Sequence, residues 1–79
     1  MTTISYSVPS GASDRIILNV YDIRGALIKT LVDSFISPGA HSVVWDGTDS
    51  GGKRVSSGMY MYQLQTGAFT TSNKMILMR

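Results

Sequence analysis

The sequence predicts an all-β fold, an antiparallel β-sandwich of about seven short strands. Apolar and polar side chains alternate through most of the chain, which is the pattern of half-buried strands. Strand starts recur about every eight to twelve residues, a spacing typical of sandwiches. All five acidic residues are Asp, which favours turns over helix interiors.

The first two strands are predicted on either side of a short loop. Alternation in TISYSVP places three side chains on one face, and Pro9 ends the strand. These three residues are Ile4, Tyr6 and Val8. Residues 10–14, SGASD, are predicted as the loop. RIILNVYD is the second strand, and its apolar face carries Ile16, Leu18 and Val20.

Two turns bracket the third predicted strand. IRGA is predicted as a tight turn, with Gly25 supplying the flexible backbone. LIKTLV is predicted as a strand, although RGALIKTLVDSF also fits a two-turn helix that would be short and poorly capped. ISPGA is the second turn, and HSVVWD then forms a fourth strand with His41, Val43 and Trp45 on one face.

The last two strands are GMYMYQLQT and KMILMR, joined by a turn over GAFTTSN. In the first of them, Met59 and Met61 are predicted to face outward. The inward residues are Tyr60, Tyr62 and Leu64. Trp45 is predicted at the centre of the core, because a thin core needs large buried side chains.

Length and composition exclude several classes of function. A chain of 79 residues is expected to form one domain over residues 1–79. Its net charge is +2 and its basic residues are scattered, so we expect no nucleic-acid partner. Absence of Cys excludes disulfides and thiolate metal sites. No apolar run reaches the roughly 20 residues that span a bilayer, so no membrane insertion is expected.

Two motifs carry a family resemblance. Residues 45–62 fit W-D-G-x-D-x-x-G-x-x-V-x-S-G-x-Y-x-Y, and residues 20–25 fit V-Y-D-x-x-G. With TTISYSVP and KMILMR, they resemble the immunoglobulin-like domain of the flagellar hook-capping protein type, as found in C-terminal sorting domains of the type IX secretion system. The resemblance covers nearly the whole chain. It implies an immunoglobulin-like sandwich and an extracellular or cell-surface location.

The resemblance also implies a function. We expect a non-catalytic C-terminal module, excised from a larger secreted bacterial protein with domains upstream, that secretion or surface-attachment machinery recognises. A structural module of a hook-cap-like or other extracellular assembly is the alternative, as is a carbohydrate-binding accessory domain of a secreted hydrolase. The candidate partner-binding residues lie in the last hairpin: Met59, Met61, Lys74, Met75, Ile76, Leu77, Met78 and Arg79.

The acidic turn after Trp45 is a weak calcium candidate. Asp46, Asp49 and Ser50 offer oxygen atoms, with Asp22 as a further contributor in space. Calcium takes roughly six to eight oxygens, and two local carboxylates without Glu are too few. We therefore favour turns held by the Asp side chains, and expect neither metal nor cofactor.

Other site chemistries have little support in the sequence. The glycines do not form a phosphate loop, because SGGKR leads into a strand instead of a helix. His41 is the only histidine, and no nucleophile elbow accompanies it. An isopeptide bond would need Lys29 or Lys74 beside Asn19 or Asp22. A sugar-stacking platform would use exposed aromatic residues: Tyr21, Trp45, Tyr60 and Tyr62.

Overall fold

The computed structural model describes residues 1–8, 15–67 and 70–78. Its regular structure is all strand, and the all-β prediction is confirmed. Where the sequence predicts about seven strands, these residues form six: β1 (Thr2–Val8), β2 (Arg15–Asp22), β3 (Leu27–Phe35), β4 (Gly39–Trp45), β5 (Gly58–Gln65) and β6 (Thr70–Leu77). In the described ranges no helix is long and apolar enough to cross a membrane.

The strands form two antiparallel sheets. β1 pairs with β4, and the other four strands form a sheet in the order β3-β2-β5-β6. Every paired neighbour is antiparallel, as the sandwich prediction requires. The predicted loop over residues 10–14 lies outside the described residues. The β2–β3 turn is confirmed, since Gly25 has a φ of 87° and its N–H donates to the Asp22 carbonyl at 3.0 Å.

Several predicted strand boundaries are wrong. β4 begins at Gly39 and not at His41, inside the predicted ISPGA turn, because Gly39 and Ala40 already pair with β1. β3 is a strand as predicted, but it continues past Val32 to Phe35 because β2 pairs with it as far as Arg15. β6 begins at Thr70 and not at Lys74, since Thr70 is already opposite Gln65 of β5. Thr, Ser and Asn at its start resemble a turn in sequence, but the pairing with β5 makes them strand.

The core lies between the two sheets. Nine apolar side chains are buried there: Ile4, Val8, Ile16, Leu18, Val20, Trp45, Tyr60, Leu64 and Leu77. Trp45 of β4 is fully buried and packs edge-on against Tyr60 of β5, with ring centroids 5.0 Å apart at 73°. Its indole N–H donates to the Thr48 carbonyl at 2.9 Å. The predicted central position of Trp45 is confirmed, and the ring pair joins the two sheets.

Candidate functional site

The outer face of the four-stranded sheet carries an exposed group of apolar side chains. The register places Tyr21 opposite Leu27 on one side and Met61 on the other, and pairs Met59 with Ile76. These five residues are called the apolar surface below. Leu27, Met59 and Ile76 are 54%, 47% and 62% exposed. Tyr21 and Met61 are half-buried. Clustered exposed apolar side chains are typical of contact surfaces, which makes this group the candidate site.

A polar row crosses the same face next to the apolar surface. The register aligns Thr30, Asn19, Gln63 and Ser72 on the four strands. The Thr30 hydroxyl donates to Asn19 Oδ1 at 2.6 Å, and Asn19 Nδ2 donates to the Tyr21 hydroxyl at 3.2 Å. Tyr21 then donates to Gln63 Oε1 at 3.4 Å. The polar row therefore holds the Tyr21 ring in place at the border of the apolar surface.

The last hairpin contributes most of its predicted contact residues to this face. Met59, Met61, Lys74 and Ile76 occupy outward positions of β5 and β6, and Lys74 pairs with Met61 at the sheet edge. Met78 follows β6 and is 75% exposed. Met59 and Met61 therefore lie on the side of β5 that the alternation predicts.

Two of the candidates point the other way. Leu77 is 1% exposed and belongs to the core, and Met75 packs against that core. Successive strand residues face opposite sides of a sheet, so these two cannot share the outward side of Lys74 and Ile76. The Leu77 side chain is therefore not accessible to a partner, and the Met75 side chain is only partly accessible. Arg79 lies outside the described residues.

The acidic turn is held by its own carboxylates. Asp46 Oδ1 accepts bonds from the backbone N–H of Thr48 at 3.1 Å and from its hydroxyl at 2.6 Å. Asp49 Oδ1 accepts bonds from the N–H groups of Gly51 and Lys53 at 2.9 and 3.0 Å. These are the predicted Asp-held turns. Within the described ranges, no three His, Cys, Asp or Glu residues form a metal-binding group.

Electrostatics at this turn also disfavour a cation. The Thr48 hydroxyl, the Thr48 N–H and the Lys29 ammonium lower the pKa of Asp46 below its ordinary value, the hydroxyl most strongly. Lys29 Nζ lies 3.7 Å from Asp46 Oδ1 and donates to the Thr48 hydroxyl oxygen at 3.0 Å. The Lys29 ammonium beside Asp46 would repel a second cation at this carboxylate.

His41 has a structural environment. Its Nε2 lies 2.7 Å from the Ser37 carbonyl oxygen, a distance at which an Nε2–H donates. Its ring stacks on Tyr6 with centroids 5.6 Å apart and an interplanar angle of 26°. The ring nitrogen that a serine nucleophile would use as base therefore contacts a backbone carbonyl.

Two of the four aromatic residues considered for a sugar-stacking platform lie in the core, as the predicted inward positions of Trp45 and Tyr60 require. Trp45 is fully buried and Tyr60 is 6% exposed, so neither ring is available to a glycan. The Tyr60 hydroxyl donates to the Ser56 carbonyl at 2.6 Å.

The side chains considered for an isopeptide bond bind other partners. Lys29 donates a hydrogen bond to Thr48, and Asn19 is hydrogen-bonded to Thr30 and Tyr21.

A cleft at one end of the sandwich was not predicted. It has a volume of about 640 Å³ and lies between the β2–β3 turn and the segment leading into β5. Ile23, Arg24, Val55 and Met59 line it. Met59 also belongs to the apolar surface, so the two features are continuous. The residues that line it are far apart in sequence, so a sequence pattern does not predict the cleft. One local indication is Ile23, an apolar residue in an otherwise polar turn.

Comparison with known proteins identifies the family. Residues 2–68 match the FlgD Ig-like domain family. The chain belongs to that family. The crystal structure of FlgD from P. aeruginosa superposes on the FlgD-type module with a TM-score of 0.73 at 28% sequence identity, covering 95% of this chain and 58% of that one. The module thus spans little more than half of the solved FlgD chain. No curated protein matches it.

The family assignment confirms one part of the resemblance stated from the sequence. The immunoglobulin-like, hook-capping part agrees with the match over residues 2–68 and with the FlgD superposition. These matches give no support to the type IX sorting part. β6 lies beyond residues 2–68, which the family model matches. The structural superposition is longer and covers 95% of this chain.

Proposed function

We propose that this chain is a non-catalytic structural module of an extracellular assembly of the flagellar hook-capping type. The observation that carries the proposal is the FlgD match, in sequence over residues 2–68 and in fold at a TM-score of 0.73. The side chains that suggested chemistry have structural tasks: Asp46 and Asp49 hold turns, and Trp45 fills the core. On this proposal the module acts outside the cell as part of a larger protein.

The proposed contact region is the outward side of the last hairpin together with β2 and β3. The apolar surface crosses all four strands, and Lys74 lies at its β6 edge. Methionine side chains adapt their shape to a partner, and tyrosine and methionine are enriched in protein interfaces. A scaffold module needs such a surface to hold its place in an assembly.

A domain exchange tests the proposal. The matching segment of P. aeruginosa FlgD is replaced by this chain, and hook formation is scored by electron microscopy in a strain that lacks FlgD. If the module does the same structural task, cells with the chimera form hooks. Normal export of the chimera without any hooks would contradict the proposal.

Export and folding of the chimera are measured in the same cells. A chimera carrying Trp45→Ala serves as the destabilised control, because loss of the buried indole leaves a large cavity in the core. Absence of hooks counts against the proposal only when the exported amount and the protease resistance equal those of native FlgD.

Recognition by the type IX secretion machinery is the second candidate function. It is favoured by β6, whose first five residues are all exposed and which lies outside the family match. Deletion of residues 74–79 is a poor test, since it also removes buried Leu77 and unfolds the core. The paired change Lys74→Ser and Ile76→Ser removes outward side chains alone.

The sorting candidate predicts that this double change abolishes export of a reporter fused to the module in a type IX secreting host. The double change Thr70→Ala and Ser72→Ala is the matched control on the same outward side of β6. Equal export of both variants would contradict the sorting function.

A further inference from the structure

The apolar surface and the cleft form one continuous area. Met59 lines the cleft and pairs with Ile76 on the outer face. Ile23, which is 71% exposed, extends the area around the end of the sandwich. Exposed apolar side chains from two strands and a turn thus meet where the β2–β3 turn approaches the start of β5.

Unpaired positive charges surround this area. Arg24 lines the cleft, Lys74 lies beside Met61, and Lys53 and Arg54 directly precede the cleft residue Val55. All four side chains are exposed and contact no carboxylate within the described residues. Charges of this kind attract an oppositely charged partner and set its orientation.

The carboxylates of the described residues are already engaged. Asp22 accepts bonds from the N–H groups of Arg24 and Ala26, and Asp33 pairs with Arg15 at the opposite end of the sandwich. Asp46 is held by Thr48 and Lys29, and Asp49 holds the following turn. These bonds do not remove negative charge: Asp22 also lines the cleft, and Asp49 lies in the same turn as Lys53. The four cations outnumber these two carboxylates, so the area carries a net positive charge.

We infer that this area binds a protein segment that presents apolar side chains flanked by carboxylates. The inference rests on the proposed structural function and specifies the chemistry of the partner. The apolar side chains of the partner would cover Met59, Met61 and Ile76, and its carboxylates would lie near Arg24 and Lys74. A second copy of this chain is disfavoured, since it would bring like charges together.

A membrane surface fits the geometry less well. The polar row lies on the same sheet face, directly beside the apolar surface. Insertion of this flat face into a bilayer would also desolvate Asn19, Thr30 and Gln63, at a cost that their mutual bonds only partly offset. A protein partner can cover the apolar surface and leave the polar row in water.

The test uses two synthetic amphipathic peptides and the ¹⁵N-labelled chain. Both peptides carry the same leucines on one face, flanked by Glu in one peptide and by Lys in the other. We expect the Glu peptide to bind at least about tenfold more tightly, with binding weakened in 0.5 M salt at a Debye length of about 4 Å. NMR shifts should be confined to the apolar surface and the cleft.

Three variants make the test specific. Ile76→Ser should weaken binding of the Glu peptide by about tenfold, as loss of a central interface residue does. Phe35→Ser removes an even more exposed apolar side chain, 74% exposed at the far end of β3, and should leave binding unchanged. Lys74→Glu should reduce the preference for the Glu peptide by about tenfold.

Several outcomes would overturn the inference. They are equal binding of both peptides, shifts on the β1–β4 sheet, flotation with phosphatidylglycerol vesicles in place of peptide binding, and dimerisation through the apolar surface in sedimentation experiments. Failure of the FlgD chimera with intact peptide selectivity would refute the proposed function alone. A working chimera without peptide selectivity would refute this inference alone.

Discussion

Asp46 shows at the scale of one residue how an acidic, glycine-rich turn is built without a ligand. Its Oδ1 accepts hydrogen bonds from the N–H and the hydroxyl of Thr48, and the Lys29 ammonium lies 3.7 Å from the same oxygen. A carboxylate with three such neighbours is stabilised in its charged form. The motif around Trp45 is thus explained by folding, and function has to be sought elsewhere on the molecule.

The Thr48 hydroxyl is the main cause of the lowered pKa of Asp46, so Thr48→Val should raise that pKa towards its ordinary value. A ¹³C NMR titration of the Asp46 carboxyl measures it. Because the folded-state pKa is depressed, the associated stability is present above the ordinary pKa. It is lost as the pH falls through the folded-state pKa. Thr30→Val, on the polar row, should leave the titration unchanged.

Trp45 is the residue on which the core depends most. Trp45→Ala should lower the free energy of unfolding by about 3–5 kcal/mol, because it leaves a cavity against Tyr60 between the sheets. Urea denaturation measures this change. Its neighbour Val44 is 53% exposed, and Val44→Ala should cost less than about 1 kcal/mol. Equal costs at both positions would contradict the orientation of β4.

At the scale of elements, strand order and hairpin geometry decide which residues meet. Alternation in the sequence predicts β1, β2 and β5 and their inward faces correctly. A polar residue between two inward apolar ones sets the period in each strand: Ser5 and Ser7 in β1, Asn19 in β2 and Gln63 in β5. KMILMR has four apolar residues in a row, so alternation does not predict which of its side chains face the core. Its faces follow from pairing with β5, where Met75 is opposite Tyr60 and Ile76 opposite Met59.

Adjacent residues of β6 should therefore respond very differently to substitution. Leu77→Ala should destabilise the domain by about 2–5 kcal/mol, because the side chain is buried in the core. Ile76→Ala, on the outward side, should cost no more than about 1 kcal/mol. Chemical denaturation of both variants measures the difference. Similar costs would show that the register between β5 and β6 is wrong.

The β2–β3 turn depends on the backbone of Gly25. A φ of 87° is costly for residues with a side chain, so Gly25→Ala should lower stability by roughly 1–2 kcal/mol, although there is open space for the Cβ atom. Gly51→Ala in the acidic turn is the matched control, since Gly51 is not among the positive-φ glycines and its Cβ would make an ordinary contact. Thermal unfolding of both variants measures the difference. A larger loss of stability for Gly25→Ala than for Gly51→Ala would show that the positive φ of Gly25 is the cause.

At the scale of the whole molecule, the two ends of the four-stranded sheet differ. One end has a group of exposed apolar side chains beside unpaired cations. The other end has the Arg15–Asp33 ion pair and a single exposed apolar side chain of β3, Phe35. The sequence predicts the outward methionines of this area. It does not reveal Ile23, Leu27 or the cleft, because they join the methionines only when β2 pairs with β5 and β3.

On the proposed function, the module works as a structural part of a FlgD-type assembly through this area. Hook formation is therefore compared among P. aeruginosa FlgD chimeras that carry the unaltered module, the Ile76→Ser variant or the Phe35→Ser variant. We expect hooks with the unaltered module and with Phe35→Ser, and a severe loss of hooks with Ile76→Ser at equal export. Equal hook numbers with Ile76→Ser and Phe35→Ser, or no hooks with a folded and exported unaltered module, would contradict this expectation.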